Sequence, residues 1–292
     1  MPHILLYLLA LLSLSTSSNW AKLNQMPSEV LGFWRLAIAC LLLIIWVYGI
    51  KKTPWPRPEK KLLWVLLSGF FLFLHLWSYK YASKNTSIAN TMILFATNPI
   101  WATIGAIAFF KEKITKRLIY AYILATLGIV VLVYNQINFH SLSFAGDISA
   151  LVSALFYALF MLVGKKARRD YTNTVFASFQ YLTCSIFFFL TTLATGKSFI
   201  GYSDVSWFSV IGQVLIPTFL GHFAFTYLVQ HMDLSLMTCG KLIEPIFGSI
   251  IAYYLFKEIL QPEAYLAFAL TSLSLIVLFA PQITKTLFAK KT

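Results

Sequence analysis

The chain repeats part of its own sequence. Displaced by 146 positions, the stretch from Tyr81 to Glu112 lies without a gap on the stretch from Tyr227 to Glu258. Tyr81 falls on Tyr227, Pro99 on Pro245, Ile100 on Ile246, and Phe110-Lys111-Glu112 on Phe256-Lys257-Glu258. Asn98 falls on Glu244, so each copy sets a polar residue just before a proline in a run that is otherwise apolar. A repeat of hydrophobic segments is the pattern of membrane proteins folded as two related halves, most of which are transporters.

The solvent of such a chain follows from its composition. It is 59% hydrophobic and 11% charged, whereas soluble domains average ~25% charged residues. That balance cannot clothe a surface in water, so the bilayer is the solvent. Apolar segments near residues 3–20, 28–50, 62–80, 86–110, 118–135, 147–164, 174–195, 207–230, 234–256 and 264–282 each approach the ~20 residues that cross the hydrocarbon core as a helix. The expected fold is an all-α integral membrane protein of ten transmembrane helices. The net charge of +13 does not point to nucleic acid, because the charges cluster between apolar segments with no interleaved aromatic stripe. The run from Ile4 to Leu14, followed by Ser-Thr-Ser-Ser, resembles a signal peptide, but no Lys or Arg precedes it. A retained first helix is therefore expected.

Lysine and arginine set the orientation. In a ten-span arrangement one side collects Lys51, Lys52, Arg57, Lys60, Lys61, Lys111, Lys113, Lys116, Arg117, Lys165, Lys166, Arg168, Arg169, Lys285, Lys290 and Lys291. The other side collects Lys22, Lys80, Lys84, Lys197 and Lys257, and Arg35 and Lys241 fall within spans. The positive-inside rule then puts both termini in the cytoplasm. Five crossings per half is an odd number, so the halves, residues 1–138 and 147–285, are inverted repeats. Exchanging the conformations of two inverted halves is a route to alternating access.

The chain resembles a drug/metabolite transporter of the EamA type. The matching residues are Trp20, Arg35, Asn98-Pro99 and Phe110-Lys111-Glu112 in the first half, and Gly146-Asp147, Tyr157-Ala158, Glu244-Pro245 and Phe256-Lys257-Glu258 in the second. The resemblance covers nearly the whole chain. It implies a ten-helix secondary transporter of the bacterial inner (cytoplasmic) membrane, and it favours export. It says little of the cargo, since the family is similar in fold while moving amino acids, nucleotides, polyamines, cofactors and drugs. One departure stands out: Lys241 is mid-span where its repeat partner is Phe95.

Lys241 and Glu244 are three apart and share a helix face. A charge at the bilayer centre costs ~2.5–3.5 kcal/mol on insertion scales, so neither is expected to face lipid. One reading is a cavity where Lys241 meets an anionic group and Glu244 a cationic group or a coupling proton; the other is a self-neutralising pair that fixes packing. Pro245 removes a backbone N–H and leaves a carbonyl one turn earlier open to substrate or water. His75 and Tyr79 in the third span, with His222 and Tyr227 in the eighth, join the candidate substrate-binding set. His222 is nearly the repeat counterpart of His75, and either imidazole suits a transported proton or an interhelical hydrogen bond. Trp101, Tyr157 and Phe179 are candidate aromatic platforms for a planar or cationic group. Arg35 is expected chiefly to snorkel to the interface, with pairing to Glu29 or to a substrate acid as alternatives. Asp147 is placed to cap the sixth helix. Asn19, Asn90, Gln180 and Gln213 are interhelical hydrogen-bond candidates, Asn19 alternatively facing water. Ala102 and Ala106, with Gly248 and Ala252 at the repeat offset, read as close-packing positions between spans four and nine or in a dimer.

Cys40, Cys184 and Cys239 are isolated, so no metal site or disulfide is expected. No phosphate-binding glycine loop is present, and no cofactor is called for. The sequon Asn85-Thr86-Ser87 lies close to the membrane. The expected partners are a small-molecule substrate and membrane lipids, with the chain as monomer or homodimer. The Lys241–Glu244 pair points to an amino-acid-like or other zwitterionic solute, moved by proton-coupled export or exchange. The alternatives are uptake or antiport of a nucleotide-type or methylated cofactor, and an intramembrane lipid-modifying enzyme. The enzyme would need clustered acids or a histidine–acid pair, and His231 with Asp233 stand apart from other such groups.

Overall fold

The computed structural model describes residues 2–56, 59–86, 91, 94–133, 144–257 and, between 262 and 278, all but 264, 267, 268, 271 and 275. Asn90, Glu258, Ser87 of the sequon and the lysines of the tail lie outside the described residues. No strand occurs among the described residues. Among the described residues seven helices are long and apolar enough to span a membrane: α1 His3–Leu23, α2 Ser28–Ile50, α3 Leu62–Asn85, α6 Phe144–Ala167, α7 Asn173–Ala194, α8 Asp204–Leu228 and α9 Leu234–Phe256. Between α3 and α6 run α4 Asn98–Phe110 and α5 Lys116–Val133. The described residues from 262 to 278 are helical and form α10. The chain is thus an all-α, multi-span membrane protein.

Several helices depart from regular α geometry where the sequence demands it. α4 begins at Asn98 because Pro99, lacking an N–H, starts a helix readily but cannot continue one. Residues 91, 94 and 95 are helical ahead of it, and a turn at 96–97 separates the two pieces. In α9 the same proline position tightens Lys241–Ile243 into a 3-10 turn between Leu234–Gly240 and Glu244–Phe256. The carbonyl that Pro245 cannot engage is that of Lys241, and the Glu244 N–H donates to it instead. The open carbonyl expected from the sequence is therefore closed by this local 3-10 bond. α8 widens into π geometry over Val214–Phe223, around Pro217, and α2 ends in a π turn, Ile45–Ile50. π segments inside α-helices are often found at functional sites.

The repeated Phe-Lys-Glu has a structural reason. Lys111 and Lys257 both adopt the left-handed conformation, φ 55° and 58°, and end α4 and α9 at equivalent points. Such a residue stops a helix by turning the next N–H groups back onto its last carbonyls; here Lys111 N donates to Ile107 O and Glu112 N to Ala106 O.

The helices pack mainly across the repeat. α3 lies on α6 and α1 on α8; α4 lies on α6 and α1 on α9; α3 meets α7 and α2 meets α8. Each couple becomes the other when five is added to, or taken from, the helix numbers. α2–α7 and the α4–α9 contact map onto themselves. The small residues serve these contacts: a Cβ on Gly105 of α4 would strike Leu162 of α6, and the Gly248 carbonyl of α9 accepts from Asn19 of α1, 3.2 Å. Asn19 is buried, so of its two expected roles it takes the interhelical one.

Candidate functional site

Lys241 sits where α9 is broken, which points its side chain into the bundle. Its residue is 4% exposed, and Nζ donates to Glu244 Oε1 one turn on. Glu244 is 12% exposed at its side chain. Three aromatic faces enclose the ammonium: the ring centroids of Tyr157, Phe225 and Phe95 lie 4.6, 5.3 and 5.7 Å from Nζ. A cation over desolvated aromatic faces gains up to ~2 kcal/mol from each, so rings and carboxylate together offset the cost of burying the charge.

Phe95 is also the repeat counterpart of Lys241, and contact between counterparts marks the pseudo-two-fold axis. The near-counterparts His75 and His222 lie on the same axis, with ring centroids 6.2 Å apart. His75 packs on Phe95 (5.2 Å) and edge-on to Tyr157 (4.9 Å), and its Nδ1 is 2.8 Å from Ser153 Oγ. His222 Nδ1 and the Tyr157 hydroxyl have no hydrogen-bond partner among the described residues. The first half repeats the local geometry without charge: Asn98 Nδ2 donates back to Phe95 O, 2.9 Å, three residues earlier.

These groups surround a cavity lined by Leu14, Ser17, His75, Leu76, Tyr79, Phe95, Tyr157, His222, Lys241 and Glu244. Its volume is ≈ 20 Å³, room for about one water molecule. An organic solute therefore requires helices to move apart. A second, larger hollow of ≈ 590 Å³ opens at one end of the bundle beside His3, Lys165, Arg169, Gln230, His231 and Asp233. At its edge Lys165 pairs with Glu112 at 2.6 Å. Glu112 also accepts from the N–H groups of Leu234 (3.1 Å) and Ser235 (3.2 Å), capping α9. Burial alone would raise the Glu112 pKa; the Lys165 ammonium and these N–H groups outweigh it and hold the carboxyl below its ordinary value.

Of the residues singled out from the sequence, Lys241, Glu244, His75, Tyr79, Tyr157 and His222 come together. Trp101 does not: it is 45% exposed on the outward side of α4, because Asn98, Ala102, Gly105 and Ala106 make the buried face. Tyr227 is not among them: it stacks at 4.6 Å on His231, which lines the larger hollow. Phe179 packs on Tyr48 and Trp55 near the end of α2. Arg35 does not snorkel. It shares the wholly buried face of Leu31 and Ala39 and donates from Nε to Thr218 Oγ1, 2.7 Å, in the π segment of α8. Nor is Lys80 in an outer loop; α3 runs on to Asn85 and buries it. Asp147 lies in the first turn of α6, as expected, and accepts from Thr86 Oγ1, 2.7 Å. Sequence reasoning passed over Ser153 and Phe95 as site residues; the repeat alignment of Phe95 with Lys241 was the available signal for the latter.

A buried ion pair on the axis of two interleaved halves, inside a bundle of apolar helices, is the polar centre of a multi-span membrane protein. The description "EamA-like transporter family" matches residues 1–134 and again 144–280. The chain belongs to that family. It is 26% identical over 262 residues to the uncharacterized transporter YwfM of Bacillus subtilis, covering 85% of this chain and 83% of that one. It is 25% identical over 207 residues to an uncharacterized transporter of Archaeoglobus fulgidus, 70% of each chain. A crystal structure at 16% identity superposes with a TM-score of 0.78 over 98% of both chains, a likeness of fold alone.

Proposed function

We propose that the chain is a secondary transporter of a small zwitterionic, amino-acid-like solute, working by alternating access in the bacterial inner membrane with both termini in the cytoplasm. The reading is carried by one observation: the Lys241–Glu244 pair is boxed by three aromatic rings where the two halves meet. A solute with an acid and an amino group divides this pair, its carboxylate going to Lys241 and its ammonium to Glu244. Each buried charge then keeps a partner while the solute is bound. The unpartnered Tyr157 hydroxyl and His222 Nδ1 supply further polar contacts. With no solute bound, Glu244 or His222 takes a proton, which couples export or exchange to the proton gradient. The 3-10 turn at Lys241–Ile243 is the hinge, since the poorer hydrogen-bond geometry of a 3-10 turn makes it the easiest place in α9 to bend. The basic hollow beside Lys165 and Arg169 is the cytoplasmic vestibule.

The test is uptake into proteoliposomes of labelled amino acids, with and without an imposed pH gradient. Wild-type protein accumulates a zwitterion along the gradient. Glu244→Gln loses accumulation, and Lys241→Met loses solute binding. Unaltered transport in both variants would remove the basis of this reading.

A further inference from the structure

The membrane interior holds more positive charge than the Lys241–Glu244 pair accounts for. Arg35 is 0% exposed and Lys80 2% exposed, and neither has a carboxylate partner among the described residues. Arg35 is held by neutral groups alone, Thr218 Oγ1 through Nε and Gln213 Oε1 through Nη1, the latter at a loose 3.4 Å. Lys80 Nζ lies 5.3 Å from the Phe188 ring centroid. The same Phe188 ring packs against the backbone of Gly32, one turn before Arg35 on α2, so both cations are set beside one aromatic side chain. α3 and α7 contain no acid, and the acids of α2 and α8, Glu29 and Asp204, are in first turns. Glu29 is six residues from Arg35, about 9 Å along the helix, and it accepts from Thr195 Oγ1.

The unsatisfied atoms on these helices include the acceptors Gln180 Oε1 and Asn173 Oδ1 and the tautomer-dependent His222 Nδ1, but the donors gather around the two cations. Arg35 Nη2, Lys80 Nζ, Gln213 Nε2 and the Tyr181 hydroxyl are all buried, all able to donate, and all without a hydrogen-bond partner among the described residues. Orphaned donors and unpaired cations in a low dielectric are each costly, and one bound anion relieves both costs together. A guanidinium with an open Nη2 edge matches the two oxygens of a carboxylate. We propose that α2, α3, α7 and α8 hold a small carboxylate between Arg35 and Lys80, at a site distinct from the Lys241–Glu244 cavity.

The full chain, purified in detergent and exchanged into a bulky-sulfonate buffer, is melted in rising sodium formate or acetate at constant ionic strength. Wild-type protein gains several degrees, saturably. Chloride, which lacks the paired oxygens, gives a smaller rise. Lys80→Met melts higher than wild type in carboxylate-free buffer and loses the response to acetate. Arg35→Lys, which keeps the charge without the fork, needs about tenfold more acetate for the same rise. A wild-type melting point that ignores formate and acetate overturns the proposal, as does Lys80→Met responding like wild type. The readout requires no transport, so its failure is separate from a failure of the transport reading. Labelled acetate exchanging across proteoliposomes marks the carboxylate as part of the cargo. Acetate that binds without crossing marks it as a retained co-ligand.

Discussion

The Lys241–Glu244 pair is open to a double-mutant cycle whose outcome the geometry dictates. Lys241→Met keeps most of the length of the side chain and removes its charge, leaving the 12%-exposed Glu244 carboxylate without its cation. Glu244→Gln strands the ammonium with only the Phe95, Tyr157 and Phe225 rings. Removing one partner of a buried pair costs about 3–5 kcal/mol, whereas replacing both by residues of similar volume is close to neutral. Each single variant is therefore destabilised by about 3–5 kcal/mol and the double variant by less than either. At about 2 °C per kcal/mol for a chain of this size, each single variant melts about 6–10 °C below wild type and the double variant within a few degrees of it. Intrinsic tryptophan fluorescence in detergent, read at one scan rate, measures this. Single effects that simply add in the double variant would refute the argument, because they mean that the two groups do not neutralise each other. The cycle also separates packing from function: a double variant that folds like wild type yet moves no solute shows the pair acting on cargo.

Three further outcomes follow from other contacts. Glu112 is held below its ordinary pKa, so its contribution is present in full above the unfolded value near 4.5 and is lost as pH falls through the folded one; Glu112→Gln costs about 2 kcal/mol at neutral pH and flattens the acid limb of a melting-temperature scan. A Cβ on Gly240 would lie 1.9 Å from the Tyr7 hydroxyl, which donates to Met237 O at 2.7 Å; Gly240→Ala loses about 1–3 kcal/mol, and a wild-type melting point for it would contradict the α1–α9 contact. Tyr157→Phe removes a hydroxyl with no partner among the described residues, so stability stays within about 0.5 kcal/mol of wild type while solute affinity in a binding titration falls severalfold.

Much of the fold was legible because hydropathy and charge are statements about the bilayer. The apolar segments follow from transfer cost, which does not depend on which helix touches which. What a helix faces is a tertiary fact, and there the reading was uneven. Trp101 read as a cavity residue, yet the small residues at 102, 105 and 106 already marked the opposite side of α4 as the packed one. For Arg35, snorkelling is the cheaper choice for an isolated helix. Only the neighbouring Thr218 and Gln213, in a helix far along the chain, make burial possible. Lys80 was misplaced because an apolar window ends at the first charge, while the helix itself runs on to Asn85. The π segment of α8 had one visible sign, Pro217, which a span of this length can accommodate in several ways.

The site itself was found by comparing the halves with one another. A duplicated fold supplies an axis between its halves, but a perfectly symmetric site would have no means to prefer one orientation of its cargo. Positions 95 and 241 meet on that axis as phenylalanine and lysine. Positions 98 and 244 are asparagine and glutamate, each turned back toward the residue three before it. The backbone geometry is shared, and the charge is placed in one half only. Under the transport reading, that division suits alternating access: a shared frame keeps two end states close in energy, and unequal side chains select one orientation of the solute. The appearance of charge in one half only, at positions whose backbone geometry both halves share, is therefore the most direct pointer to chemistry in this chain.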